Sequence, residues 1–557
     1  MMVAPGEMRK EYEVYLMMSS WIKKEKFRLA LCFIAGVGLF FRAWGMWFGL
    51  PLLLHPDESV FVEKAMRFGT GNLNPQWFGH PGNNLMYILF FEFIGYYLFG
   101  SLFNWFDSVE VFKNHFFADP TVFYILGRSV GVLSGTLSVI AIGYLGKRLV
   151  NERVGIISAL FLSLSPLSIE NSKYIRTDII GTLFVIIAIH YGLKYWDSRC
   201  RKYFVITSVG IGMAAASKYP LAIAGVTVLL LMDFLRMESS ERFFPKYTQK
   251  NYHIKFFLIS CLIIVITFFA VTPFFFFDFK TAYKDIVVEL GGTHLGAKSL
   301  PLPRTFWWYI HDVLQKDFGL PILIGAGLGI FLSIRNCEKR NILVLAFPMF
   351  YFIFICSARL KWDRWVIPVI PFVGLYSAIA LDRFIYILNL RFQDILEKRK
   401  YFVSIRHAIL AIILLSFVFY PLKESIAIDK ELSLPDTRQL CLDWIKQNIP
   451  EGKFAQDWYT FQPSHRYAYY IGEFQVENYE ILQEFSIANK TLKDYREKRC
   501  THVIISSYLY NRYFREAVSY PKEVQFYRSL FARVPLKTFE FIDNKVTGPN
   551  ISIYTID

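Results

Sequence analysis

Charge is scarce in this chain. Asp, Glu, Lys and Arg supply 19% of its 557 residues, whereas hydrophobic residues supply 54% and aromatics 18%, with 55 Phe. A soluble protein of this length carries more charge and less Phe, so the shortage points to an integral membrane protein. Cysteine is sparse as well, and the seven present show no metal-ligand spacing. Cys32 and Cys261 sit in apolar stretches, Cys200 and Cys337 in basic loops, and only Cys441 and Cys500 share the polar C-terminal region, where no spacing rule pairs them. The first apolar run has no small-residue cleavage site behind it and reads as a retained helix. No G-x-x-x-x-G-K-[ST] loop, internal repeat or low-complexity tract occurs. Net charge is +15, yet residues 423–557 hold 18 Lys+Arg against 18 Asp+Glu. The basic excess therefore lies in the hydrophobic part, where short basic loops set membrane orientation. This distribution argues against nucleic acid as a partner, because no soluble basic domain is present.

What is present is a succession of apolar segments between Phe27 and Tyr420. A full span needs ~20 residues, fewer where flanking residues snorkel. Eleven segments qualify: Phe27–Leu50, Val122–Leu145, Val154–Ile169, Ile179–Trp196, Tyr203–Ala216, Tyr219–Leu235, Ile254–Phe277, Phe318–Ile334, Ile342–Ser357, Trp365–Leu388 and Ala408–Leu422. A further segment, Asn83–Phe103, is apolar but carries Glu92 at its middle. If it lies along the surface, the N-terminus and the loops KRLVNER, KYWDSRCRK, RMESSERFFPKYTQKNYHIK, RNCEKR and RFQDILEKRKYFVSIR all fall on the cytoplasmic side. That reading places two long loops, 51–121 and 278–317, and everything after Leu422 outside. The expected organisation is a cytoplasmic segment 1–26, a membrane domain 27–422, and an extracytoplasmic domain 423–557. In the last, DTRQLCLDWIKQNIPEGK reads as a helix and turn, THVIISSYLYNRYF as strand then helix, and VPLKTFEFIDNKVTGPNISIYTI as a hairpin with Gly548-Pro549 near its turn. Together these give an α-helical polytopic membrane protein of about 11 spans, with outer surface helices and a small α/β domain outside the membrane.

The outer side collects unusual charges. LLLHPDESVFVEK places Asp57 and Glu58 just after the first span. Acidic residues there suit a helix N-terminus, and a carboxylate there also suits a general base acting on an acceptor hydroxyl. Short outer turns are normally poor in basic residues, yet ENSKYIRTD holds Lys173 and Arg176 with Asp178, SKYP holds Lys218, and SARLKWDRW holds Arg359, Lys361 and Arg364. Snorkelling accounts for single cations. A group of them facing carboxylates fits a lipid-phosphate-linked sugar, whose leaving group is already a phosphate anion and needs cations rather than a proton. Trp458, Tyr459, Tyr469 and Tyr470 in the outer domain read as core residues or as stacking surfaces for sugar rings.

These residues resemble the GT-C superfamily, and within it the family-39-like glycosyltransferases that include protein O-mannosyltransferases and aminoarabinose transferases. The resemblance covers nearly all of the membrane part. Asp57-Glu58 is similar to the family's acidic pair after the first span, and His80-Pro81 to its motif before a surface helix, although Gly82-Asn83-Asn84 then departs from the family pattern. Tyr174, Arg176 and Asp178, the Lys218-Tyr219 pair, the Arg364–Phe372 stretch and VTPFFFFDF resemble further family segments. The resemblance implies a hexosyl or pentosyl transferase of prokaryotic cytoplasmic membranes that uses a polyprenyl-phosphate sugar and a protein, lipid or glycan acceptor. It implies Asp57 as base or acceptor-positioning carboxylate, Glu58 in support, and Arg176, Lys218, Arg359 and Arg364 as candidates for the donor phosphate. His80, Tyr174, Asp178, Tyr219 and His294 would assist. Some members use a divalent metal at the acidic loop, where Asp57 and Glu58 would be its ligands; no separate ligand cluster or other cofactor is indicated. Two other readings stand beside this one: a transporter or flippase for a lipid-linked glycan, and a non-catalytic envelope assembly protein.

Overall fold

The computed structural model of the chain describes residues 25–79, 82–231, 246–291, 294–336, 338–396, 401–462 and 470–556. The segment before residue 25, His80-Pro81, Cys337, Tyr469 and parts of the basic loops 236–255 and 391–406 lie outside the described residues.

The structure is mostly helical. Residues 25–43 form α1. It is followed by α2 (Pro56–Phe68), α3 (Asn83–Leu102), α4 (Val109–Ala118), α5 (Thr121–Leu149), α6 (Glu152–Ser163), α7 (Pro166–Ser172), α8 (Thr177–Ser198) and α9 (Arg201–Ser217). Next come α10 (Tyr219–Leu231), α11 (Lys246–Val271), α12 (Phe274–Phe277), α13 (Phe279–Gly291), α14 (Leu302–Trp308), α15 (Gln315–Arg335), α16 (Lys339–Ser357), α17 (Ile370–Leu396) and α18 (Tyr401–Leu432). Among the described residues, 8 helical stretches are long and apolar enough to cross a membrane, or 9 if the bent pair α6 and α7 counts as one. Each of the eleven expected segments contains helix within its described residues, although residues 44–50 of the first are turn; α1 carries too many charges for that test, and α9 and α10 are short for it.

The 61° bend between α6 and α7 frees backbone groups that apolar surroundings cannot satisfy. Two buried charges do so. Arg42 reaches from α1 to the carbonyls of Leu162 (3.1 Å) and Ser163 (3.4 Å) and to Ser168 Oγ (3.0 Å). Asp317 accepts from Leu167 N–H (2.8 Å) and Ser165 Oγ (2.9 Å) at the start of α7.

The two ends of the bundle differ. Three of the basic loops meet at one: Arg148 and Arg340 both reach Asp197, at 2.6 and 3.4 Å, and Arg153 pairs with Asp382 at 2.9 Å. At the other end lie α2 and α3. The helix α3 passes the length and apolarity test, but its contacts stay at this end. Asn84 Nδ2 donates to Ser217 Oγ at the close of α9 (2.8 Å), and Phe93 and Tyr96 meet Phe123 at the start of α5 (5.3 and 5.6 Å between centroids). Gly82, which precedes α3, has φ 131°, and a Cβ there would run into Thr177. Only glycine lets this turn sit against the start of α8.

The last membrane helix, α18, continues to Leu432, ten residues past the expected boundary at 422, and delivers the chain to a six-stranded sheet. Its strands are β1 (Gly452–Gln456), β2 (Gly472–Val476), β3 (Tyr479–Gln483), β4 (His502–Ser506), β5 (Lys537–Phe539) and β6 (Ile551–Thr555), in the order β2-β3-β1-β4-β6-β5. The strand β1 runs parallel to β3 and β4, and the other pairings are antiparallel. The period of two along each strand splits the core. Ala455, Leu482, Val503 and Tyr554 pack on one face, and Phe454, Ile481, Ile504 and Ile553 on the other. Cys500 belongs to the first core and Cys441 to the second, and both are free thiols. The expected hairpin forms as β5 and β6, with Gly548 at φ 95° between them.

This domain sits on the Asp57 end of the bundle. Arg438 Nη1 donates to the carbonyl of Leu54 (2.7 Å), Gly296 N–H to Glu516 Oε1 (2.9 Å), and the buried pair Lys173–Asp429 ties the end of α7 to α18.

Candidate active site

Asp57 and Glu58 are adjacent in the first turn of α2 and do different work. His55 is the N-cap, with extended φ/ψ of −119° and 116°, and Pro56 follows at N1, where its missing N–H costs nothing. Successive helical residues point about 100° apart, so the two carboxylates diverge.

Glu58 is fully buried. Its Oε1 accepts from Arg128 Nε (2.9 Å) and from Ile175 N–H (3.1 Å), and its Oε2 from Arg128 Nη2 (2.7 Å). Arg128 spends its remaining nitrogen on the carbonyls of Met46 (2.7 Å) and Phe48 (2.9 Å). This bidentate pair locks α2 to α5 and to the segment carrying Arg176. Both of its oxygens are committed. Arg128 is a residue the sequence reading passed over, although an arginine inside the apolar run Val122–Leu145 is itself a signal, since such a charge must find a partner.

Asp57 turns towards a cavity of about 1200 Å³. Its Oδ2 takes Arg364 Nη1 at 2.6 Å and Arg176 Nη2 at 3.2 Å, with 29% of its side chain exposed against 15% and 18% for the arginines. Burial alone would raise the Asp57 pKa; the guanidiniums of Arg176 and Arg364 outweigh it and hold the carboxyl well below the usual range.

Arg176 is held from three sides. Asn171 Oδ1 accepts from its Nη1 (3.0 Å), the Tyr174 ring lies 4.6 Å beneath its guanidinium carbon, and His55 Nε2 is 2.8 Å from its Nη2. Burial and the neighbouring Arg176 guanidinium hold the His55 pKa well below its ordinary value, so the ring is neutral; its Nδ1 lies 3.3 Å from the Asp57 N–H. Lys218 forms an ion pair with Asp178, the second residue of α8, and both are nearly buried. Tyr219 donates its hydroxyl to the Phe78 carbonyl (3.2 Å), fixing the start of α10. Arg364 lies 5.6 Å from the Trp362 ring, and Lys218 lies 6.0 Å from Trp365.

Arg359 and His294 line the same cavity nearer its rim. Arg359 is exposed, and its backbone pairs with the loop after α13 through Ser299 N–H (2.9 Å). His294 Nε2 is 3.8 Å from Glu289 Oε1, and this contact raises the imidazole pKa against partial burial. A raised pKa keeps the ring cationic to higher pH, so its attraction for an anion is present in acid and lost as pH rises through that value. His294→Ala is therefore expected to weaken binding of a lipid phosphate more at pH 6 than at pH 8, measured by titration of the purified protein; equal weakening at both would remove the imidazolium from the site.

The structure thus brings together Asp57, Arg176, Asp178, Lys218, Tyr219, Arg359, Arg364 and His294 around one cavity, with Tyr174 beneath Arg176. Lys173, paired with Asp429, lies apart from it. Among the described residues no group of three or more His, Cys, Asp or Glu is arranged to hold a metal. Glu58, engaged by Arg128, does not converge with Asp57 as a ligand pair. Tyr459 contacts Arg512 (4.8 Å from ring centre to guanidinium carbon), Trp458 packs on Phe485 (5.2 Å), and Tyr470 is exposed.

The far wall of the cavity is apolar, with Ile264 and Phe268 from α11 and Tyr351, Phe354 and Ile355 from α16. Ala222 and Ile264 are shared with a second hollow of about 440 Å³, also lined by Val226, Leu229 and Phe257. A polar end of paired charges thus faces an apolar wall, with the second hollow beside it across Ala222 and Ile264.

A sequence-family model described as dolichyl-phosphate-mannose-protein mannosyltransferase matches residues 126–271, which carry Arg176, Asp178 and Lys218. No curated protein sequence matches the chain. In structure it is similar to the oligosaccharyltransferase AglB of Archaeoglobus fulgidus, solved with an inhibitory peptide and a dolichol-phosphate, at 14% identity and TM-score 0.55 over 91% of this chain and 71% of that one. It is also similar to apo ArnT of Cupriavidus metallidurans, at 13% identity and TM-score 0.52 over 96% of this chain and 98% of that one. At these identities the likeness is one of fold.

Proposed function

We propose that this chain, a GT-C superfamily protein by its fold, moves a sugar from a polyprenyl-phosphate carrier to an acceptor hydroxyl at the outer face of the membrane. The observation that carries the reading is the meeting of Asp57 with Arg176 and Arg364, beside Lys218, in a cavity with an apolar far wall. A lipid phosphate presents the complementary chemistry: an anionic head for the cations and a hydrocarbon tail for Ile264, Phe268 and the hollow beyond. The lipid-phosphate partner of the structurally similar AglB and the description of the matching family favour the same class. The meeting of three basic loops at the opposite end supports an outer-face site.

In this reaction the acceptor oxygen attacks the anomeric carbon while Asp57 takes its proton. The bond from that carbon to the phosphate oxygen breaks, and its electron pair leaves on the phosphate. Arg176, Arg364 and Lys218 stabilise the charge that develops there. Glu58 holds α2 and the Arg176 segment in register through Arg128 and Ile175. Arg359 and His294 draw the head group in from the rim.

The test is transfer of labelled sugar from a purified lipid-phosphate donor. Arg364→Ala should lose one charge-assisted contact, worth about 1.5–3 kcal/mol, or roughly 10–150-fold in rate. With one guanidinium gone, Asp57 also titrates at higher pH, so the acidic limb of the pH–rate profile moves up. A rate unchanged from the parent would take Arg364 out of the site.

A further inference from the structure

The inner cations are already paired with carboxylates: Arg176 and Arg364 share Asp57, and Lys218 holds Asp178. Three cations stand against two carboxylates, so an anion is drawn to the cavity and competes there with the carboxylates for the guanidinium donors. The two ion pairs are not equally available. The Lys218–Asp178 pair is 12% and 7% exposed, whereas Asp57, at 29%, is the more open carboxylate, and one of its oxygens alone takes both arginines. A guanidinium has five donors in a planar fork. Arg176 is anchored through Nη1 to Asn171 and through one Nη2 hydrogen to His55, and rests on Tyr174, so the Nη2 hydrogen now on Asp57 is the one left to pass from one anion to another while the side chain keeps its seat.

We propose that Arg176 and Arg364 are exchanged between two anions, Asp57 when the site is empty and the donor phosphate when it is filled, so that donor binding is what frees Asp57 to act as base. This inference rests on the transfer reaction above and adds the order of events within it. Gripped by two guanidiniums, Asp57 is a poor base. Once the phosphate has taken them, Asp57 regains ordinary carboxylate basicity beside the acceptor hydroxyl. Proton removal from acceptor hydroxyls, water included, is thereby confined to the donor-loaded state. After transfer, Asp57 carries the acceptor's proton and the arginines hold the departed phosphate. When the lipid phosphate leaves, the arginines return, and their field drives that proton off Asp57 to solvent. The clamp thus resets the base.

The experiment is titration of the purified full chain with farnesyl phosphate, with farnesol as the phosphate-free control. Asp57→Asn removes the competing charge, so farnesyl phosphate should bind at least several-fold tighter than to the parent, with farnesol unchanged. Equal or weaker binding to Asp57→Asn would overturn the exchange. Absence of farnesyl phosphate binding to both proteins would overturn the transfer reading itself, and the exchange with it. Removing Asp57 leaves two adjacent guanidiniums uncompensated, so a measurement on the unaltered chain stands beside this one. Carbodiimide modifies protonated carboxyls, and labelling of Asp57 at pH 5, located by peptide mass spectrometry, should rise on adding farnesyl phosphate. Labelling that stays constant or falls counts against the exchange.

Discussion

If the proposed transfer holds, Asp57→Asn is expected to lower it by roughly 10²–10⁴-fold, equivalent to about 3–5 kcal/mol of barrier. The asparagine keeps the shape of the side chain and removes its charge, so the acceptor hydroxyl loses the only carboxylate that the described residues turn directly between Arg176 and Arg364. The loss falls on turnover rather than on donor binding, since the phosphate contacts come from the cations. This separates Asp57→Asn from Arg364→Ala, where a smaller total effect is shared between binding and turnover. A reversed ranking, with Arg364→Ala the more damaging, would mean that donor binding and not proton removal is the demanding step. Transfer at the parental rate in Asp57→Asn would remove the base assignment.

Glu58→Gln behaves differently although the residue is the neighbour of Asp57. It leaves Arg128 charged, fully buried and without a carboxylate. Breaking a buried pair from one side costs about 3–5 kcal/mol. The expected result is a marked fall in melting temperature of the purified protein, with transfer per folded molecule reduced less than in Asp57→Asn. Replacing both members, Glu58→Leu with Arg128→Met, removes the uncompensated charge and recovers part of the lost stability. It does not recover all, because Ile175 N–H and the carbonyls of Met46 and Phe48 also lose partners. A Glu58→Gln protein that melts normally but transfers no sugar would return Glu58 to the chemistry.

The sequence made the bundle legible because a lipid environment imposes a length and a hydropathy on every crossing. The basic loops, the position of Asp57 after the first helix and the cations of the short turns could be read from the same rule, and the structure brings three of the basic loops together at one end and those cations at the other. What could not be read is pairing. Asp57 and Glu58 are neighbours in sequence, and helical rotation sends one to Arg176 and Arg364 and the other to Arg128, 70 residues away. Lys173 and Arg176 are three residues apart, and the turn between α7 and α8 sends Lys173 to Asp429 and Arg176 to Asp57. The break at Ser165-Pro166 was folded into one expected span, because its cost is met by Arg42 and Asp317 from distant helices. In the sheet domain the strand β4 and the hairpin ending in β6 were legible, whereas the parallel placement of β1 between β3 and β4 is a long-range fact that local patterning does not encode.

The most direct test of the central claim is an experimental structure of the chain with farnesyl phosphate bound. The account predicts the phosphate within hydrogen-bond distance of Arg176 and Arg364, close to Lys218, the prenyl chain running past Phe268 and Ile264, and Asp57 released from both arginines. A phosphate seated elsewhere on the chain, with Asp57 still gripped by Arg176 and Arg364, would contradict it.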